Sequence, residues 1–376
     1  MNIKIYNAIN VIDATDLDIF NNVLYSKGVY EFAESENIDK VYPKYFLGYH
    51  DGKIAAFAPA FIQEGPYTFD PFAYLKGNLR IRMGKLGLKT DRLLCAYTPL
   101  RPRSDIKILD TSTKSSLMLE MLNAIEKEAQ NEGCHAVFFP AVPESNYALN
   151  NLLKKNGYIK AYYDAYFYMD IGYPTYEAFL KSLKKIRRDN LKYDATVLAR
   201  NHIKIEEITD IDRFANEYAL LHAALMKKYG HDKVELSEAS FRAMYQHIQN
   251  TSSLVAKEDD AILGFTIGIY DKNCFHGLRC GQFHERAESK GVYFNLVYAE
   301  SIKKAISLKC KRIDFGQSMA RAKIMRGAKF ERMHLYAKFF NPVTHNIMGV
   351  KIRRLGKGYY NTHLDEIRSN PGHPHG

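Results

Sequence analysis

One block of this chain is written twice, and that constrains the fold more than any other feature. Tyr45–Ile62 holds two apolar runs around His50-Asp51-Gly52-Lys53. An Asp-Gly pair between apolar runs is a strong hairpin signal. Ser253–Tyr270 repeats the pattern 208 positions later, where Asp259, Ile262 and Phe265 fall on Asp51, Ile54 and Phe57. Downstream of the first hairpin, Lys114–Gln130 places Leu117, Met121, Leu122, Ile125 and Ala129 at helical spacing. Its counterpart is Phe294–Leu308, now at an offset of 176, with Ala305, Cys310 and Phe315 on Ala129, Cys134 and Phe139. The longer Gln63–Asp110 segment accounts for the change of offset. Few residues are identical, so the duplication rests on element order. The alternative is two unrelated domains that share a common pattern.

Each half reads as helices, a hairpin, a strand, a helix, a strand, a helix and a strand. Antiparallel strands come first and a crossover helix then joins parallel ones. This order predicts an α/β fold with a mixed (α+β) central sheet flanked by helices, built twice in tandem. The expected domains are residues 1–172, a basic linker helix over 173–200, a second domain over 201–350 and a basic tail over 351–376. Tyr166–Ile171 alternates and is expected to close the sheet of the first half. Tyr176–Lys192 is expected to be one amphipathic helix with Phe179, Leu183, Ile186 and Asn190 inward.

Charge is concentrated in three places. The net charge is +11. Lys181–Lys192 holds six basic residues and one acidic, Lys311–Arg332 seven and two, and Lys351–Lys357 four and none, which leaves the rest of the chain at −3. Local basicity of this kind points to an anionic partner: phosphate groups, RNA or an anionic surface. Solvated helix faces are the plainer explanation. The five cysteines are scattered, odd in number and form no Cys-x-x-Cys pair, so neither a disulfide framework nor a metal site is expected. His373-Pro374-His375 reads as a tail. The longest apolar run, near Ala55–Ile62, is far shorter than the roughly 20 residues of a membrane span. The beginning of the chain lacks the pattern of a secretory leader. A cytoplasmic location is the expectation.

Two resemblances carry the functional reading. The tandem mixed domains resemble the GNAT acyltransferase fold. There the pyrophosphate of coenzyme A docks on an Arg/Gln-x-x-Gly-x-Gly/Ala loop before a helix. Arg286-Ala287-Glu288-Ser289-Lys290-Gly291 stands in that place, with Ser289 where the pattern has Gly. Backbone N–H groups at a helix N-terminus bind phosphate, and small residues let it approach. Arg286, Ser289, Lys290, Gly291 and Val292 are therefore the residues expected to hold the carrier. The second resemblance is to the Fem-like, peptidoglycan-bridge aminoacyltransferase-like branch of tandem GNAT proteins. It rests on Tyr293–Tyr298 leading to Lys311-Arg312-Ile313-Asp314-Phe315-Gly316-Gln317, and on Lys323-Ile324-Met325-Arg326-Gly327. Phe138-Phe139-Pro140-x-Val142-Pro143 and the linker Leu180–Lys192 share it, so it spans roughly residues 40–340.

The resemblance implies an acyltransferase that forms an amide on the amine of a small molecule or peptide precursor. The donor is a co-substrate, acyl-coenzyme A (slightly favoured) or aminoacyl-tRNA, with no tightly bound cofactor and no metal. Such chemistry needs a proton acceptor for the amine, donors for the oxyanion and a cationic seat for the carrier. It needs no covalent nucleophile, in keeping with the lack of a Ser/His/Asp or Cys/His signature. Glu285 and His284 are candidate bases, as is Asp314 at a strand end. Lys323 and Arg326 are candidates to contact a phosphate, the substrate carboxylate or the developing oxyanion. Tyr298 is a candidate proton donor or substrate contact, with packing as the plainer explanation. Lys184, Lys185, Arg187 and Arg188 are candidates for a carrier, including tRNA. The second half is expected to hold most of the site, with the acceptor in a cleft between the halves and the first half a degenerate copy. A non-catalytic module that binds RNA or an anionic metabolite is the alternative.

Overall fold

A computed structural model describes residues 2–36, 40–64, 85, 89–109, 114–230, 236–287 and 290–368, without the side chains of 364 and 366–368. Ser289, His373, His375 and much of the 63–103 segment lie outside the described residues.

Along the chain the strands are β1 (Asn2–Tyr6), β2 (Val41–His50), β3 (Lys53–Glu64), β4 (Arg92–Ala96), β5 (Lys107–Ile108), β6 (Ala136–Pro143), β7 (Ile159–Asp170), β8 (Lys204–Ile208), β9 (Thr251–Glu258), β10 (Ala261–Tyr270), β11 (Cys274–Gln282), β12 (Arg312–Gly316) and β13 (Lys329–Phe339). The helices are α1 (Ala14–Asp18), α2 (Lys27–Ser35), α3 (Lys114–Asn131), α4 (Tyr147–Lys155), α5 (Tyr176–Ser182), α6 (Lys185–Arg200), α7 (Ile211–Lys228), α8 (Glu238–His247), α9 (His284–Ala287), α10 over 292–307, α11 (Ala320–Met325) and α12 (Pro342–Arg368). The middle of α10, Asn295–Glu300, is π-helical.

The chain divides into two compact units. The first is Met1–Ala165 with Glu331–Asp365; the second is Tyr166–Phe330 with residues from Glu366 on. The division does not follow chain order, because the path enters the second unit within β7 and returns to the first within β13. This differs from the expected domains of 1–172 and 201–350.

In the first unit, β1–β4 pair antiparallel in sequence, β4 runs parallel to β6, and β6 pairs antiparallel with β13. The β2–β3 turn is Asp51-Gly52, both at positive φ as the dipeptide predicts. Helix α3 lays Met118, Met121, Leu122, Ile125 and Ala129 on Phe46, Ile62, Leu94, Val137 and Phe139. Each fully buried side chain of this size contributes roughly 1.5–3 kcal/mol.

The second unit repeats this order strand for strand. β8–β11 pair antiparallel in sequence, β11 runs parallel to β12, and β12 pairs antiparallel with Tyr168, Met169 and Asp170 of β7. The strand over 166–171 therefore closes the second sheet, not the first as expected from its position. β13 takes the equivalent place in the first sheet. Alternation marks a strand but does not say which neighbour it finds.

Helix α7 begins at Asp210, whose carboxylate accepts the Arg213 N–H, and α8 begins in a capping box of Ser237 and Ser240. Tyr218 of α7 stacks on Phe265 of β10 at 4.3 Å between centroids. The expected single helix over 176–192 is broken: Leu183 and Lys184 are extended between α5 and α6. Phe179 is buried, but Ile186 is 60% exposed, because the break rotates α6 away from the face it would have presented. The expected tail over 351–376 begins inside a long helix, α12, whose Met348 and Ile352 are buried.

Candidate active site

Arg326 and Tyr298 meet in the second unit, around the start of α10, while Lys323 and Asp314 lie at the end of β12. Gly291 precedes α10 at φ 72°, a left-handed conformation that favours glycine. The helix then widens into its π segment. Such segments shift the facing of side chains and recur at functional sites. This one carries Asn295 and Tyr298. Asn295 donates through Nδ2 to the carbonyls of Asp194 (2.7 Å) and Gly291 (2.9 Å), which ties α6 to the loop. Tyr298 is fully buried, and among the described residues its hydroxyl has no hydrogen-bond partner. Burial raises its pKa above that of an ordinary phenol, and Arg326 opposes the rise, so it stays protonated at neutral pH. A buried hydroxyl without a partner costs about 1–3 kcal/mol. A ligand that accepts from it removes that cost.

Arg326 is buried beside it. Its Nε and Nη2 donate to Asp194 Oδ2 and Oδ1 at 2.7 and 3.0 Å, and Nη1 donates to the Ala322 carbonyl. The guanidinium lies 4.0 Å from the Phe294 ring centroid and 4.9 Å from that of Tyr298. This fork pairing is short and planar, the geometry that lets a buried ion pair offset its desolvation. Asp194, 132 residues from Arg326, was not among the sequence candidates; the partner is set by how α6 docks. Asn190 of α6 adds a bond to the Met325 carbonyl at 2.9 Å.

Lys323 is 3% exposed. Its ammonium donates to the carbonyls of Phe315 (2.9 Å), Gly316 (3.0 Å) and Gln317, and lies 5.2 Å from the Phe167 ring centroid. An ammonium has three donors, and three carbonyls use them. The expected oxyanion role has no donor left to perform it; the geometry makes Lys323 the group that holds the end of β12. Asp314 is likewise engaged inside the sheet. Its Oδ1 accepts the Gly316 N–H at 2.6 Å, and its Oδ2 is 3.4 Å from His276 Nδ1. At 5% exposure it fastens β11 to β12 from within the sheet.

Around the β11–α10 loop, His284 Nδ1 faces Lys228 Nζ at 2.8 Å. The ammonium donates there, which leaves the ring proton on Nε2. Glu285 is exposed and, among the described residues, makes no ion pair. Lys290 pairs with Glu258 at the end of β9, and Arg286 Nη2 lies 4.0 Å from the same carboxylate. The hydrogen bond from Lys290 holds the Glu258 pKa below the usual carboxylate range. The loop expected to take a pyrophosphate thus already holds an anion of its own. Val292 is buried in the core with Leu198, Leu254, Leu263 and Leu296. Its side chain is a packing group.

Cys280 lies within electrostatic reach of Lys323 and Arg279, yet burial pushes its thiol up to about 11. It is a thiol, not a thiolate, at neutral pH. Lys184 and Lys185 are exposed at the start of α6, and Arg187 and Arg188 are half-buried. Among the described residues none of the four is paired with a carboxylate. Among the described residues no group of three or more His, Cys, Asp and Glu is placed to hold a metal ion.

The architecture is that of the tandem GNAT proteins, a class of acyltransferase-type folds. The solved tandem GNAT protein of the clavulanic acid biosynthesis pathway is 10% identical, aligns over 91% of this chain and 99% of its own, and gives a TM-score of 0.51. The family model FemAB-like, described as peptidoglycan biosynthesis or recognition, matches residues 41–354, and the chain belongs to that family. FemX is similar at a TM-score of 0.64 and 10% identity, over 93% of this chain and 100% of its own. L-PGS from Bacillus licheniformis is similar at 0.55 and 12%, over 90% of this chain and 97% of its own. No curated protein matches the sequence.

Proposed function

We propose that the protein transfers an aminoacyl group from tRNA to the amine of a peptidoglycan precursor. The observation that carries the reading is the buried Tyr298 hydroxyl on the π-helical segment of α10, unpartnered among the described residues and beside the Arg326 guanidinium. The family's description, peptidoglycan biosynthesis or recognition, supports the acceptor class. The sequence preference for acyl-coenzyme A gives way to tRNA for a physical reason: Glu258 occupies Lys290 and faces Arg286, so a pyrophosphate there would meet a carboxylate. The cations of α6, unpaired among the described residues, remain for a carrier's phosphates.

In this scheme the acceptor amine attacks the ester carbonyl of the donor. An amide bond forms, the ester C–O bond breaks, and the tRNA ribose hydroxyl leaves with a proton. Tyr298 donates to the oxyanion, and Arg326 keeps positive charge near it. Glu285 accepts the proton of the amine and passes it to the leaving ribose oxygen. The protonated Cys280 takes no covalent part. Charged tRNA is made in the cytoplasm, and the reaction is proposed there.

The test is amide formation from charged tRNA and a muramyl-peptide acceptor, with and without ribonuclease and with acetyl-coenzyme A in a parallel arm. Transfer that needs intact tRNA is expected. Tyr298→Phe should lower kcat/KM roughly a hundredfold while leaving the thermal midpoint unchanged or higher, because it removes an unpartnered group. Turnover with acetyl-coenzyme A alone would overturn the donor assignment. Salt-dependent RNA binding with no turnover would favour the binding-module reading.

A further inference from the structure

The outward face of α12 combines features that no packing within its unit explains. On the inward face, Thr344, Met348 and Ile352 are buried, and Gly356 meets Ala161 so closely that a Cβ would lie 2.8 Å from the Ala161 Cβ. Opposite stand Val343, Ile347 and Val350, 57%, 36% and 66% exposed. At 3.6 residues per turn these positions form one strip. The strip continues into Arg354 and Lys357, with Lys351 and Arg353 at its margins, all four exposed. Residues 342–364 contain no Asp or Glu. Among the described residues none of the four cations is ion-paired.

We propose that this face seats the protein on an anionic bilayer surface. The aliphatic side chains enter the boundary between headgroups and acyl chains, and the cations lie on lipid phosphates. The choice of partner follows from the side chains. RNA would use the four cations but not Val343, Ile347 and Val350, because single-stranded nucleic acid stacks on aromatic rings and aliphatic side chains offer no such platform. A second copy packed on this face would bring two sets of cations together. Among the described residues no helix is long and apolar enough to cross a membrane, so attachment of this kind is peripheral. The proposal is independent of which reaction the second unit performs.

The test is co-sedimentation of the full chain with vesicles of phosphatidylcholine alone and of equimolar phosphatidylcholine and phosphatidylglycerol, at low and high salt. Binding to the anionic vesicles only, weakened by salt, is expected. Arg354→Gln with Lys357→Gln should weaken partitioning about thirtyfold, from roughly 1 kcal/mol for each cation near the surface. Val343→Ser with Ile347→Ser and Val350→Ser should weaken it at least about tenfold. All five side chains are exposed, and an unchanged circular dichroism melt confirms folding. If the serine variant melts early, the glutamine variant decides alone. No binding, equal binding to both vesicles, or binding that survives the substitutions overturns the proposal. So does a concentration-dependent dimer, dissolved by the serine variant, without vesicle binding.

Discussion

His334 shows how burial converts a side chain into an acid-sensitive element. It is 8% exposed on β13, with Nε2 3.7 Å from Glu144 Oε1. Burial, with Lys160 and Arg332 adding to it and Glu144 opposing, holds its pKa down to about 4. In an unfolded chain the imidazole titrates near 6.5. Between these values the unfolded state binds more protons, so stability is complete above about pH 6.5 and falls as pH drops toward 4. The loss reaches about 3 kcal/mol by pH 4. Burial lowers the pKa of His222 and His345 as well, with the same sign. Thermal midpoints recorded from pH 7 to pH 4 should fall, and His334→Asn should flatten the slope. An unchanged slope in that variant would remove His334 from the account. At this scale the sequence showed the candidates but not their state. Lys323 and Asp314 look like catalytic groups in a string of letters; their engagement by carbonyls and by Gly316 comes from the turn after β12.

Among the elements, α7 and β11 touch backbone to backbone. A Cβ on Gly281 would stand 2.6 Å from the backbone of Leu221 and His222, where no side chain can move aside. The approach lets His222 Nδ1 meet the Cys280 carbonyl at 3.1 Å. Gly281→Ala should cost about 1–3 kcal/mol through forced displacement of α7, read as a lower thermal midpoint. A midpoint equal to that of the unaltered chain would show that α7 yields. Helix α3 and the β2–β3 hairpin were legible because their signals are local: period 3.6 and an Asp-Gly turn. The break between α5 and α6 was not, since Leu183 and Lys184 carry no Pro or Gly to announce it. β1 was also missed, its five residues being too few to show a period.

At the scale of the whole molecule, the strands of the two units follow one order, but each unit takes its closing strand from the part of the chain that borders the other. β7 completes the sheet that follows it in sequence, and β13 returns to the sheet that begins the chain. Cutting the chain where the sequence suggests removes a strand from each sheet. A fragment of residues 1–172 lacks β13 and leaves β6 with an open edge. It should unfold without a cooperative transition in circular dichroism, where the full chain gives a sigmoidal one. A cooperative melt of that fragment would show that the first sheet does without β13. The exchange leaves no trace in periodicity, because strand pairing is a choice among distant partners of equal alternation.

The sequence by itself determined what elements form and in what order. Apolar period, turn residues and spacing act over a few residues, and these were enough to reveal the duplication and the mixed sheets; the Fem-like resemblance rests on short motifs such as Lys323–Gly327. Tertiary structure alone decided which strand closes which sheet, that Asp194 is the partner of Arg326, that Glu258 sits against the loop cations, and that among the described residues the Tyr298 hydroxyl is left without a partner. Each of these depends on how groups far apart in the chain are brought together, which a linear pattern does not encode.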